Sequence, residues 1–174
     1  MIPPHTRTEE QQPPLSERVE IFLPSTLGYE KVARSAAEAV AEEMGFSADR
    51  IDDLKTAVSE ACMNAIEHGN QENRTASVTV LLTAAKEQLE IRVADEGLTP
   101  MPAEFPKPGR TQEDNRGWGM FFISQLVDQV EITRLPQGGN QVRMVIYLTP
   151  DRKAPAPADT PTPIPDNTPT PENK

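Results

Sequence analysis

The chain has 174 residues, a net charge of −10 and one cysteine, Cys62. Its length suits a single domain, and a lone cysteine excludes an internal disulfide, which fits a reducing cytoplasm. So acidic a chain repels nucleic-acid phosphate and anionic membrane, so neither is expected as a partner; no long apolar run or basic-plus-apolar leader is present either.

Residues 1–14 set Pro3, Pro4, Pro13 and Pro14 among polar neighbours and read as a disordered tail. Arg18 to Leu23 alternates with period two, a first strand ended by Pro24. Tyr29 to Met44 is rich in Ala and Glu, with Val32, Ala36, Ala39, Val40 and Met44 at helical spacing, and Gly45 stops that helix. Ser47 is the expected N-cap of a second helix, although Arg50 stands where a capping-box glutamate would. Its buried stripe is Ile51, Leu54, Val58, Ala61, Cys62, Ala65 and Ile66, and Gly69 ends it. Val78–Leu82 and Leu89–Ala94 read as an antiparallel pair. The stretch from Leu98 to Arg116 holds four prolines and no usable period, and is expected to be a flexible, functional lid. Gly119 to Val127 reads as a third helix, with Ile123, Leu126 and Val127 inward. Val130–Thr133 and Val142–Leu148 are the last strands, turned at Gln137–Asn140. A second Pro-rich tail fills residues 151–174. Each tail carries −1, which leaves −8 on residues 15–150, the expected folded domain. Strands that cluster as hairpins imply an α+β two-layer sandwich with helices on one sheet face, not a doubly wound fold.

Three blocks carry chemistry. Glu60, Asn64 and His68 are four apart and share one side of the second helix, beside its apolar stripe. Asn64 offers a hard amide oxygen suited to Mg²⁺, and Glu60 can orient or deprotonate a hydroxyl. A solvated polar flank would have the same spacing, and His68 also fits a capping or packing role. Asp95 ends a strand and precedes Gly97; its carboxylate can accept an exocyclic amino hydrogen while Gly97 lets a flat base approach, although Asp-x-Gly is also an ordinary turn. Gly117 and Gly119 open the third helix, where free amides and the dipole favour an anion. Lys107, Arg110 and Arg116 are cations in or beside the lid that could meet phosphates or stay solvated. Spacing gives no support to a zinc site. Jointly, the blocks point to nucleotide binding.

At these residues the chain resembles the GHKL superfamily of ATP-binding domains, and within it the bacterial anti-sigma-factor serine kinases. The run Val58–Ala65 resembles that family's N-box, Asp95-Glu96-Gly97 its first glycine box, and Gly117-Trp118-Gly119-Met120 its second. The resemblance implies a Bergerat-type fold, a mixed, mostly antiparallel sheet backed by helices. It implies Glu60 as general base, Asn64 as Mg²⁺ ligand, and Asp95, Gly97, Arg116, Gly117, Gly119 and Met120 as ATP-binding residues. It also implies phosphorylation of a serine on an anti-anti-sigma partner, sequestration of a sigma factor, and pairing into a homodimer. Thr99 and Pro100 depart from the family pattern after the first glycine box, and Asn140 stands where a threonine near adenine is usual. The alternative reading is an ATP-binding module that grips a protein partner without transferring phosphate. A detached histidine-kinase catalytic domain is disfavoured because no phosphoacceptor segment precedes the domain.

Overall fold

Five strands and three α-helices make up the described residues, 17–101 and 118–149, of a computed structural model. The strands are β1 (Glu17–Pro24), β2 (Ser77–Ala85), β3 (Gln88–Ala94), β4 (Gln129–Arg134) and β5 (Asn140–Tyr147). They form one sheet in the order β1-β2-β3-β5-β4, and every pairing is antiparallel. Period-two alternation sets the register. Ile21, Val80, Val93, Val142 and Ile132 align across the five strands on the face toward the core. The next row on the opposite face reads Glu20, Leu81, Arg92, Arg143 and Glu131. There Glu90 accepts from Arg92 Nε and Arg143 Nε, both at 2.7 Å.

Helices α1 (Glu30–Met44), α2 (Ala48–Asn64) and α3 (Trp118–Leu126) pack into the core on the apolar face, giving the expected two-layer α+β sandwich. Helix α1 is rotated from the expected stripe. Its fully buried line is Ala33, Ala37 and Ala41; of the expected stripe, Ala36, Val40 and Met44 pack partly buried against the core, while Val32 is 50% exposed and Ala39 is exposed. Alanines four apart let a helix backbone lie close to its neighbour. Helix α2 begins as expected, with Ser47 Oγ accepting from Arg50 N at 3.4 Å, and its whole predicted stripe is buried. It does not stop at Asn64. A π-turn (Ala65–Gly69) continues it, closed by Asn70 N donating to Ala65 O at 2.8 Å.

Two long-range ties shape the site. Asp128, between α3 and β4, pairs with Arg50 of α2 and accepts from Tyr147 N at 2.7 Å, which fixes the end of α3 against the helix layer and β5. Because β3 and β5 are neighbours, the residue leaving β3 meets the residue entering β5: Asp95 N donates to Asn140 O at 3.0 Å. The two Pro-rich tails, Arg116, Gly117 and all of the expected lid beyond Met101 lie outside the described residues.

Ala37→Leu should cost about 1–3 kcal/mol by overfilling the α1–α2 contact. Ala39→Leu, on the exposed side of the same helix, should stay within about 0.5 kcal/mol. Urea denaturation of the two variants checks the rotated face.

Candidate functional site

Helix α2 and its π-turn supply the axis of the site. Asn64 lies where the α-helical ladder ends, and Gly69 five residues on, about 7 Å along the axis. In a continuous α-helix those two positions would be turned about 140° apart. The i to i+5 closure of a π-turn instead stacks residues five apart, which brings Gly69 round toward the side that carries Asn64.

At the Asn64 end, Glu60 and Asn64 face the start of α3. A Cβ built on Gly119 would lie 2.0 Å from Glu60 Oε1 and 3.1 Å from Asn64 Nδ2, so a larger residue there would have to displace the free Glu60 carboxylate. Asn64 is 8% exposed and its Nδ2 donates to Met120 Sδ at 3.7 Å. Among the described residues, Asn64 Oδ1 accepts no hydrogen bond and Glu60 makes neither a hydrogen bond nor an ion pair. Burial pushes the Glu60 carboxyl above the ordinary glutamate range; the charge of Glu67 adds to the rise and His68 partly opposes it. His68 itself is exposed.

The Asp95 end is built from three glycine contacts. Cβ atoms on Gly69, Gly97 and Gly139 would lie 2.3 Å from Asp95 Cγ, 1.8 Å from Gly69 O and 1.9 Å from Asp95 O, respectively. Asp95 is 4% exposed. Its Oδ1 accepts from Gly97 N at 2.8 Å and Asn140 N at 3.0 Å, and Asn140 Nδ2 reaches Oδ2 at 3.2 Å. Asn70, also buried, accepts from Glu96 N at 2.8 Å and donates to Ser77 O at 3.0 Å, pinning the turn to the helix end and to β2.

Of the expected site residues, Glu60, Asn64, Gly119 and Met120 thus meet at one end, and Asp95 and Gly97 meet at the other, joined by a single helix. Asn140 does stand beside Asp95, with its carboxamide engaged. Thr99 is held as well: its Oγ1 accepts from Gln71 Nε2 at 3.2 Å and its carbonyl from Asn140 Nδ2 at 3.0 Å. A cavity of about 260 Å³ opens beside the same turn, lined by Asn70, Gln71, Asn73, Glu96 and the two glycines at 69 and 97 among others. Glu60, Asn64 and Asp95 do not line it, whereas Gly97, which donates to Asp95 Oδ1, does. Sequence reading missed Gly69, Asn70 and Gly139 as site residues. Their only local signal is a turn signal, which reads the same whether or not the turn touches Asp95.

The profile of the histidine kinase-like ATPase domain matches residues 23–146. The chain belongs to that family. It is 30% identical over 145 residues to the serine-protein kinase RsbW of Bacillus subtilis (strain 168), covering 79% of this chain and 89% of the relative. It is 31% identical over 141 residues to the enzyme of the same name from Bacillus cereus (strain ATCC 10987 / NRS 248), covering 76% and 86%. The RsbU and RsbW domains of Rv1364c from Mycobacterium tuberculosis share the fold, with a TM-score of 0.55 at 21% identity over 75% of this chain and 32% of that one. Within the ATPase family, this chain therefore sits with the RsbW-type serine-protein kinases.

Gly69→Ala should destabilise the domain by about 2 kcal/mol or more, because the carboxylate in its way is held by several hydrogen bonds. Gly119→Ala meets chiefly the free end of Glu60 and gains helix propensity, so its cost should stay under about 1 kcal/mol. Chemical denaturation of the pair tests which end of the site is rigid.

Proposed function

We propose that this chain is an Mg·ATP-dependent protein serine kinase of the anti-sigma type. One observation carries the reading: an unpaired Glu60 carboxylate, raised in proton affinity by burial, sits one helical turn from Asn64 and directly against the glycine that opens α3. Glu60 accepts the proton of a serine hydroxyl, the freed oxygen attacks the γ-phosphorus, and ADP leaves. The start of α3 at Gly119, with Gly117 and Arg116 before it, receives the phosphates. Asp95 accepts from the adenine amino group, Gly97 lets the base approach, and Met120 packs beside Asn64.

Magnesium fits the donor set. No cluster of three or more His, Cys, Asp or Glu able to hold a metal occurs among the described residues. A hard cation here would take Asn64 Oδ1 and complete its shell with phosphate oxygens and water, the usual arrangement for Mg²⁺ at a triphosphate. When bound, it offsets charge on the transferred phosphoryl group.

The kinase domain is placed at 15–150, between Pro-rich tails at 1–14 and 151–174. The phosphate acceptor is an anti-anti-sigma protein, the sequestered partner is a sigma factor, and the setting is the cytoplasm; buried, reduced Cys62 and the acidic surface are consistent with this. Among the described residues no helix is long and apolar enough to cross a membrane. Among the described residues β1 is an edge strand with Val19 and Phe22 exposed, which supports pairing with a second copy. A second reading, an ATP-dependent grip without transfer, draws on the pinned Thr99 segment that replaces the usual glycine pattern.

Glu60→Gln should lower phosphate transfer to a serine-bearing partner by about 10²–10⁴-fold while leaving Mg·ATP affinity nearly unchanged. Full transfer by that variant would eliminate Glu60 as base; no transfer even by the wild-type chain, with tight ATP binding, would favour the grip. Transfer should rise with pH through a value above the ordinary glutamate range, because only the ionised form accepts a proton. The sign for stability is opposite. The folded chain holds this proton more tightly than the unfolded chain, so stability falls as pH rises from the ordinary range through the raised value. Glu60→Gln should flatten that fall in a denaturation series. Asn64→Ala should weaken ATP binding in Mg²⁺ and leave binding without Mg²⁺ unchanged, as read by calorimetry.

A further inference from the structure

We propose that Asn70 and Asn140 are positioning residues that present Asp95 to the ligand with one acceptor position free. This rests on the nucleotide reading above and adds to it the residues that set base recognition. Two backbone donors, Gly97 N and Asn140 N, fill the lone pairs of Asp95 Oδ1, and Asn140 Nδ2 shares its hydrogen between Oδ1 at 3.3 Å and Oδ2 at 3.2 Å. Oδ2 receives only the Asn140 carboxamide among the described residues, so one lone pair stays open. The same carboxamide is locked at every other polar position: Nδ2 donates to Thr99 O at 3.0 Å, and Oδ1 accepts from Met101 N at 2.9 Å and Arg134 at 3.3 Å. Asn140 therefore cannot rotate away without breaking several bonds at 3% exposure. From the other side, Asn70 grips the Glu96 peptide and ties it to Ser77 and the π-turn. The carboxylate is thus held through its side chain by one buried carboxamide and through its backbone turn by the other. A carboxylate with a single open lone pair suits a base that brings one exocyclic amino hydrogen.

The test compares ATP with purine riboside triphosphate, which lacks the 6-amino group, by calorimetry in Mg²⁺ on the full chain. The wild-type chain should prefer ATP about tenfold or more, the worth of a hydrogen bond to a charged acceptor. Asn70→Ala and Asn140→Ala should each weaken ATP about tenfold and leave the analogue within about twofold, so the preference collapses. Equal weakening of both nucleotides would assign the two residues a merely structural role and overturn the inference, as would a wild-type chain without preference. Binding of neither nucleotide by the wild-type chain would instead remove the nucleotide reading itself, and this inference with it. Asn70→Ser and Asn140→Ser carry the same comparison if an alanine variant fails to fold.

Discussion

A buried carboxylate held by amides rather than by a cation is the constraint on which this fold's functional end depends. Asp95 is 4% exposed, and no ion pair to it occurs among the described residues. Burying an ionised group without compensation is costly, so its oxygens must find donors. The chain supplies them from the backbone at Gly97 and Asn140 and from the Asn140 side chain. Those donors reach it only because Gly69, Gly97 and Gly139 lack a Cβ, since each added carbon would lie within 2.3 Å of a neighbouring atom. One carboxylate thus dictates three glycines, two carboxamides and the adjacency of β3 and β5.

The helix that meets this carboxylate also carries the other half of the site, and its local irregularity matters. A regular α-helix would point Gly69 away from the side that carries Asn64 and Glu60. The π-turn costs hydrogen-bond geometry and gains alignment, the usual reason such turns occur at functional positions. The Arg50–Asp128 pair then keeps α3 in place at the far end, so that Gly119 can close against Glu60. One contact has no room for a side chain, Gly69 on the held Asp95 carboxylate, and a softer one, Gly119 on the free end of Glu60, lies at the other end of the helix.

What was legible in the sequence follows from how local each signal is. The α2 stripe from Ile51 to Ile66 is a periodic pattern within one element, and all of it is buried as expected. Strand alternation located every strand, and the polar side of α2 placed Glu60 and Asn64 together. On α1, Ala36, Val40 and Met44 of the expected stripe do pack against the core, but the central line of Ala33, Ala37 and Ala41 is hidden in the sequence because small alanines carry little hydrophobic signal. The π-turn, Asn70 and the packing of Gly69 and Gly139 were invisible because they depend on which strands are neighbours. Asn140 was noticed as a departure, but its grip on Asp95 required the β3–β5 pairing. Arg116 and Gly117 lie outside the described residues, so nothing is added to them.

The acidity of the chain and the chemistry of Glu60 belong to one argument. A net charge of −10 gives no general attraction for a triphosphate, so local groups must supply the positive field. In the proposed reading, helix amides at Gly119 and a hard oxygen at Asn64 are such groups. Burial, and after it the neighbouring charge of Glu67, favour the protonated form of Glu60. Positive charge placed beside it would oppose both effects. Burial beside a second carboxylate thus makes the Glu60 carboxyl harder to ionise than an exposed one.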